Sequence, residues 1–427
     1  MTWFLIALII LAAFAGAPIF AILAAAAMLG FYLGETPLTV IGVELYRLVD
    51  TPLLLALPLF TLAGYLLGES RTSERLVRLA RAALGWMPGG LPVVAFLTCA
   101  FLTAFTGASG VTIVALGAML YPALKMAGYP DRFSLGLVTS SGALGLLLPP
   151  SLPLILYAVI AQQLPAGAGV TIQAVFTAGL LPCLLMILLL SLYGLRVTKQ
   201  HDIPLQKFSW GELGAATAEA KWELPLPVFV FAGIYGGFFA VSEAAAVTAL
   251  YVLVTQVLIY REIRIVELPR IIREAMMMVG SVLLIVGVAM SFTNWLIDAE
   301  IPTQLFAMVR EHISSREVFL LALVGFLLLL GMMLDIFSAL VIMVPLILPM
   351  AVGYGVHPVH LGIIFLATME IGYCLPPVGM NLIIGSYRFR KPLIELARAA
   401  LPFTAVLLLA ALAIAYVPWL SLAFIPH

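Results

Sequence analysis

Two pairs of adjacent prolines, Pro149-Pro150 and Pro376-Pro377, lie inside long apolar stretches. Proline lacks a backbone N–H and cannot continue a helix, so each pair releases carbonyl oxygens of the preceding turn. Carbonyls freed at Gly145 to Pro149 and at Gly372 to Pro376 are hard ligands that suit an alkali cation; the blander alternative is a pair of kinks in packed helices. Two further interruptions, Thr106-Gly107-Ala108-Ser109-Gly110 and Met333-Leu334-Asp335, break apolar runs near their middles. The first joins hydroxyls to glycines that permit close backbone approach. A helix restarting near Val111 would direct its positive dipole end at that tip, where a carboxylate is favoured. Thr106, Ser109 and Gly110 are therefore candidate substrate contacts, set against the alternative of a small-residue helix packing site. Asp335 and Glu370 are acids deep in apolar runs, where an Asp costs roughly 2.5 to 3.5 kcal/mol at mid-membrane and so implies a partner. Asp335 is expected at the cation or substrate site, with a cap on the following half-helix as the other reading. Glu370 is balanced between such a site and simple neutralisation of a polar neighbour. Asn381, just past the second proline pair, and Ser141 and Ser151, flanking the first, either face a substrate or make interhelical hydrogen bonds.

The elements that must hold these residues follow from composition. Of 427 residues, 63% are hydrophobic and 10% charged, with 21 basic against 21 acidic. That excludes a soluble globular enzyme, because water-facing side chains are too few to cover the apolar surface. The balanced charge and the lack of basic runs argue against nucleic acid. Cys99, Cys183 and Cys374 are scattered without a CxxC, so neither a disulfide framework nor a zinc site is indicated. About 20 apolar residues cross a bilayer core, and membrane runs fall at 2–32, 51–68, 91–126, 133–164, 172–196, 224–260, 275–297, 317–353, 359–387 and 394–425. The first is either one tilted span or two short ones broken at Gly16-Ala17-Pro18. The runs 91–126 and 317–353 exceed one crossing and read as re-entrant hairpins; 133–164 and 359–387 read as discontinuous helices. With both hairpins returning to their starting side, all of the 21 Lys and Arg except Arg47, Arg310 and Arg316 fall on one face, which is then cytoplasmic.

A shift of 227 positions lays Pro122, Gly128, Gly145, Pro149 and Pro150 on Pro349, Gly355, Gly372, Pro376 and Pro377. This is a repeat, and its polarity is inverted, since the connection 69–85 is rich in Arg whereas 296–312 is not. Inverted repeats with broken helices meeting at mid-membrane are the architecture of secondary transporters. The expected division is 1–68 and 197–297 as scaffold, 69–88 and 298–316 as arm helices, and 89–196 and 317–427 as the two halves of a transport domain. Arg71, Arg75 and Arg78 fall on one face of the first arm and Leu76, Leu79 and Ala83 on the other, as in a helix lying in the membrane interface. The histidines, His201, His312, His357, His360 and His427, fall in connections or at the terminus, which leaves a buried proton relay unsupported. No Gly-Lys dipeptide occurs, so no P-loop supplies energy and a gradient must.

The tip Thr106 to Gly110, GLLLPPS at Gly145 to Ser151, YGGFFAVSEAAA at Tyr235 to Ala246, GMMLD at Gly331 to Asp335 and CLPPVGMN at Cys374 to Asn381 together resemble the large membrane subunit of TRAP (tripartite ATP-independent periplasmic) transporters, the DctM-like family. The similarity covers essentially the whole chain. It implies an all-α polytopic membrane protein of the inverted-repeat elevator type, with two re-entrant hairpins and two discontinuous helices, in the bacterial inner membrane. It also implies a sodium-coupled importer of an organic acid, a C4-dicarboxylate or similar carboxylate, with a periplasmic substrate-binding protein and a small four-helix membrane subunit as partners and no enzymatic cofactor. Carried over by motif, one sodium would sit among Thr106, Gly107, Ser109, Gly145, Leu148 and Pro150, and a second among Met333, Asp335, Gly372, Leu375 and Pro377. Two positions depart from the family pattern: Gly107-Ala108-Ser109 stands where Gly-Ser-Ser is frequent, and Asp335-Ile336 where Asp-Pro is. A stand-alone ion-coupled carboxylate symporter or exchanger is the competing expectation, and a membrane enzyme a remote one, since no His or Lys is placed at mid-depth.

Overall fold

Hydrocarbon offers no hydrogen-bond partners, so each apolar segment closes its own backbone bonds as helix. A computed structural model describes residues 2–49, 52–201, 203 and 207–425, and among the described residues there is no strand. His427 lies outside them. The first half contains α1 (Thr2–Phe14), α2 (Ile19–Leu33), α3 (Thr39–Val49), α4 (Ala56–Glu69), α5 (Thr72–Leu84), α6 (Gly90–Thr106), α7 (Ser109–Ala115), α8 (Gly117–Met126), α9 (Asp131–Ser141), α10 (Leu152–Gln162) and α11 (Ile172–Gln200). A link helix, α12 (Trp210–Glu219), leads to α13 (Pro225–Tyr235), α14 (Val241–Leu253), α15 (Leu268–Asp298), α16 (Ile301–His312), α17 (Arg316–Gly331), α18 (Ile336–Gly353), α19 (Pro358–Gly372), α20 (Met380–Phe389), α21 (Leu393–Tyr416) and α22 (Trp419–Leu422). Among the described residues, five helices are long and apolar enough to cross a bilayer, and up to eight spans result if each bent pair counts as one.

Two apolar runs divide. The run 2–32 becomes α1 and α2, parted at Gly16, whose φ is +85°. The run 224–260 is two helices, turned between Gly236 and Ala240, with Gly237 at φ +71°. The Tyr260 hydroxyl beyond α14 donates to the Glu219 carbonyl at 2.6 Å, and Tyr251 to the Trp222 carbonyl at 2.8 Å, so the pair returns to its starting end. That return is what lets Lys221 and Arg261 share a face. Glu243, an acid also inside this run, sits at the turn and accepts from the Ala240 N–H at 2.9 Å.

The repeat is visible bond for bond. The 227-residue shift carries the ends of the hairpin return, Ser109 and Met126, onto Ile336 and Gly353, the ends of α18. It carries the Gly107 N–H to Thr103 carbonyl bond (2.8 Å) onto Leu334 to Leu330 (2.7 Å), and Leu148 to Gly145 (3.1 Å) onto Leu375 to Gly372 (3.0 Å). Both proline pairs contain a cis peptide. The first broken helix bends by 41° between α9 with its following turn and α10. In one packing group α4 lies against α14 and α15, and α15 runs along α2 and α3; a second group gathers α6, α9, α10, α11 and α17 to α21 around the breaks. They touch where Gly64 of α4 meets the hairpin backbone, for a Cβ there would lie 2.2 Å from the Phe105 carbonyl oxygen.

The arm helix α5 departs from the expected interfacial face. Arg75 is 4% exposed and pairs with Glu223 (2.5 Å; 2% exposed) and with Glu262, beneath the Tyr260 ring at 3.9 Å. Arg71 donates its backbone N–H to Glu262 at 2.9 Å, and Arg78 pairs with Glu212 at 2.8 Å and with Glu219. A polar helical face thus meets complementary acids of the chain itself instead of lipid headgroups. The counterpart α16 is held by aromatic contact: its Phe306 meets the Tyr354 ring edge-on at 5.6 Å, and the Tyr354 hydroxyl donates to the Ile313 carbonyl just past the helix at 2.6 Å.

Arg75→Ala leaves the buried Glu223 carboxylate without its cation, with only the Tyr260 and Thr72 hydroxyls as donors, and is expected to destabilise the protein by about 3 to 5 kcal/mol, whereas Arg78→Ala, at an exposed pair, is expected to shift unfolding far less. Thermal unfolding of the two variants in detergent, side by side, checks this; equal shifts contradict it.

Candidate functional site at the meeting of the two breaks

The first hairpin turns within two residues. Gly107 adopts φ +66°, a conformation that glycine reaches without strain, and a Cβ there would lie 2.5 Å from Leu152. Thr106 is buried and folds back on the tip, with its Oγ1 3.4 Å from the Ala108 carbonyl. Ser109 then opens α7 and donates its Oγ to Asn381 Oδ1 at 2.7 Å. Asn381 in turn donates Nδ2 to the Thr139 carbonyl at 3.3 Å. One amide side chain therefore joins the tip of the first hairpin, the end of α9 and the start of α20. Ser109 and Asn381, named separately from the sequence, are brought together. Gly110 adjoins them, its would-be Cβ 2.6 Å from Ile384.

Ser141 takes a different role. Its Oγ contacts Cys99 Sγ at 3.3 Å and the Val138 carbonyl at 3.4 Å, tying α9 to α6. Ser151 is buried with no partner for its hydroxyl. The sequence reading missed Thr103, Thr112 and Thr139. Thr103 Oγ1 donates to the Gly142 carbonyl at 2.7 Å and lies 2.6 Å from Thr112 Oγ1, so the two hairpin limbs are stapled to the broken helix. Their place near an interruption, three residues before Thr106 and three after Ser109, was the available signal.

At the bends, glycine is required by contact. A Cβ on Gly145 would lie 2.1 Å from the Ala100 carbonyl oxygen, and one on Gly372 2.6 Å from Gly331 Cα. The Gly145, Leu148 and Gly372 carbonyls each accept one backbone N–H, from Leu148, Ser151 and Leu375, and keep a second lone pair. At the second tip the Met332 carbonyl accepts from Gly379 at 3.2 Å, which ties it to the turn after Leu375, Pro376 and Pro377. Met333 is 71% exposed. The Asp335 carboxylate caps α18, accepting from the Phe337 and Ser338 N–H groups, each at 3.0 Å, and from Ser338 Oγ at 2.5 Å. The capping alternative is thus realised in its geometry, and Oδ1, with one bond, retains capacity for a further partner.

Oxygen atoms without partners concentrate here. Among the described residues, six of nine buried, unpartnered side-chain oxygens belong to the two broken helices: Thr139, Ser140 and Ser151 on the first, Thr368 and both oxygens of Glu370 on the second. Glu370 is 1% exposed within α19. Buried polar groups without hydrogen bonds are rare and call for an explanation such as an ion. No cluster of three His, Cys, Asp or Glu able to hold a metal occurs among the described residues. A cation here would meet carbonyl, hydroxyl and carboxylate oxygen, the donor set of a hard ion. Pro150 is buried and Pro377 exposed, each following a cis peptide bond. His360, expected in a connection, is instead fully buried in α19, its ring nitrogens 2.5 Å from Ser421 Oγ and 3.2 Å from the Ala415 carbonyl. Both nitrogens are engaged in fastening α19 to the chain's last helices.

A cavity of about 610 Å3 opens beside the junction. Tyr65, Gly68 and Glu69 of α4 and Glu274 of α15 form one wall; Gly110, Val111, Val114 and Ala115 of α7 and Ile384 of α20 form the other.

Residues 4–420 match the family described as "Tripartite ATP-independent periplasmic transporter, DctM component". A C4-dicarboxylate TRAP transporter large permease protein of Pseudomonas aeruginosa is 34% identical over 384 residues, covering 90% of this chain and 88% of that protein. An isethionate TRAP transporter permease protein of Oleidesulfovibrio alaskensis is 32% identical over 398 residues, covering 92% of this chain and 61% of the relative. The solved YdaH transporter of Alcanivorax borkumensis superposes with a TM-score of 0.62 at 16% identity, covering 89% of each chain, which is a likeness of fold.

Asn381→Ala removes the acceptor of Ser109 and the donor to Thr139, at an expected cost of about 1 to 3 kcal/mol. Combined with Ser109→Ala the losses should fall short of additivity by about 1 kcal/mol, read from unfolding midpoints; strict additivity means that the two do not interact.

Proposed function

The chain belongs to the DctM-component family of tripartite ATP-independent periplasmic transporters, and from that premise we propose that it is the sodium-coupled permease of such a system, importing an organic acid. Transport, not catalysis, is the work of this family. The observation that carries the finer reading is the junction at Asn381. The second half meets the first there through Ser109 and Thr139, and the two broken helices carry the unpartnered oxygens of Thr139, Ser140, Ser151, Thr368 and Glu370. Such an arrangement suits a small anion bound together with sodium. The first ion is assigned to Thr106, Gly107 and Ser109 with the Gly145, Leu148 and Pro150 carbonyls, and the second to Met333 and Asp335 with Gly372, Leu375 and Pro377. The anion is assigned to Ser109, Gly110, Asn381 and the neighbouring hydroxyls. Ser141, turned toward Cys99, serves packing in this conformation.

The cargo class is a carboxylate, a C4-dicarboxylate or a relative of it, in keeping with the Pseudomonas aeruginosa protein's name. The partners are a periplasmic binding protein that delivers cargo and a small four-helix membrane subunit; the isethionate relative, of which this chain covers 61%, is long enough to include another polypeptide. The bacterial inner membrane is the expected site, with the arginine-rich face cytoplasmic. Movement is of the elevator type: the group around α4, α14 and α15 stays fixed while the hairpins and broken helices travel, with α5 and α16 as arms. Two sodium ions carried with a monoanion move one net charge, worth about 2.3 kcal/mol per 100 mV, or roughly 50-fold accumulation.

Uptake into proteoliposomes tests this reading. It is expected to require sodium, the small subunit and the binding protein together; uptake by this chain alone, driven by a pH gradient, favours the stand-alone symporter instead. Sodium at about 100 times its dissociation constant should also stabilise the purified protein by about 2.7 kcal/mol per occupied site over choline. Asp335→Asn keeps a capping side chain but lowers the charge. It is expected to leave the choline midpoint within about 1 kcal/mol and to remove the second ion's share of the sodium increment; an undiminished increment reduces Asp335 to a cap.

A further inference from the structure

Beyond the junction the structure contains a second, unassigned feature on the same route. A cavity of about 390 Å3 shares Val114 and Ile384 with the larger one and is bounded outward by Tyr387, Arg388 and Arg390. We propose that Arg388 and Arg390 make this mouth an anion-collecting exit, a binding station for small carboxylates or sulfonates on their way from the junction to the cytoplasm; the direction of travel rests on the transporter reading above.

The charges on the two walls carry the argument. Three basic residues fall within four positions at the end of α20, yet they are treated differently. Lys391 is occupied, 2.9 Å from Glu395 and 3.7 Å from Asp131. Arg388 spends one nitrogen, its Nε donating to the Val114 carbonyl at 3.0 Å, while its terminal nitrogens have no partner among the described residues. Arg390 has no ion pair or side-chain hydrogen bond among the described residues and closes α20 with a φ of +52°. Across the cavity, Glu69 and Glu274 are both bonded to Arg270, at 2.6 and 3.1 Å. Summing Arg270, Arg388 and Arg390 against Glu69 and Glu274 leaves one net positive charge, and it sits on the wall that also forms the junction. A cleft with apolar walls focuses such a field, and a guanidinium with both terminal nitrogens free presents the fork that carboxylate and sulfonate oxygens fit. The Nε bond to Val114 fixes that fork beside α7, so an anion leaving Ser109 and Asn381 passes Gly110 and Ile384 and meets it next.

The test needs no cargo, so its failure is distinct from failure of the transport reading. The native thiols of Cys99, Cys183 and Cys374 are buried, so an Ile384→Cys variant of the full chain, in inside-out membrane vesicles, places one reporter thiol on the shared wall. Its modification rates with a sulfonate-bearing and a trimethylammonium-bearing methanethiosulfonate, each divided by the rate with a free thiol, give an anion-to-cation ratio. The ratio is expected to exceed one, to fall about fivefold or more on adding Arg388→Gln and Arg390→Gln, and to be restored by Arg388→Lys and Arg390→Lys, which keep the charge. A ratio at or below one, a ratio unmoved by the glutamine pair, or a thiol that reacts only from the opposite side of the membrane each overturns the proposal.

Discussion

Backbone groups in hydrocarbon must be bonded within the protein, and the molecule is arranged around the few places where helix geometry fails to do it. Each broken helix exposes the ends of two half-helices at mid-depth, and each hairpin exposes a tip. The structure answers by bringing breaks and tips together, so that one repeat supplies what the other lacks. Asn381 is the economical form of this answer, a single amide that accepts from one tip and donates to the opposite break. Oxygens of Thr139, Ser140, Ser151, Thr368 and Glu370 on the two broken helices are left without partners. The same constraint that shapes the architecture thus also leaves the buried polar atoms on which the ion reading rests.

The equivalence of the halves reaches individual hydrogen bonds, yet their chemistry differs. The position that opens the return helix is Ala108 in one copy and Asp335 in the other, the first without a side-chain cap and the second with a carboxylate. The arms differ as well. Ion pairs fasten α5 to the residues around α12 and α14, whereas the contact of Phe306 with Tyr354 fastens α16 to the end of α18. The left-handed residues beside them are placed differently too, Gly89 after α5 and Glu300 before α16.

Much of this was legible in the residues, because interruptions of apolar runs are local signals. Both hairpins, both broken helices and the repeat follow from Gly, Pro and polar residues at fixed positions. The pairing of Ser109 with Asn381 did not follow, since 272 residues separate them and either hydroxyl or amide could have faced elsewhere. Thr139 lies in the last turn of α9, a few residues before the break, but nothing in the sequence distinguished it from Ser140 and Ser141 beside it. Arg75 was placed on a polar face, which is correct for the helix, but periodicity cannot tell water or headgroups from Glu223 and Glu262. The turn in 224–260 had its signal in Gly236-Gly237, masked by unbroken hydrophobicity on both sides. For Asp335 the sequence left two roles, and the structure realises the cap, with the backbone N–H groups on one carboxylate oxygen and the Ser338 hydroxyl on the other.

At Gly64 the two packing groups meet with bare backbone against bare backbone, at Phe105 and Thr106. A surface without side chains has nothing to interlock, so the fit at that point depends on there being no side chain at all. A single methyl group added there would press on the Phe105 carbonyl and the Thr106 backbone, and the two groups could accommodate it only by drawing apart.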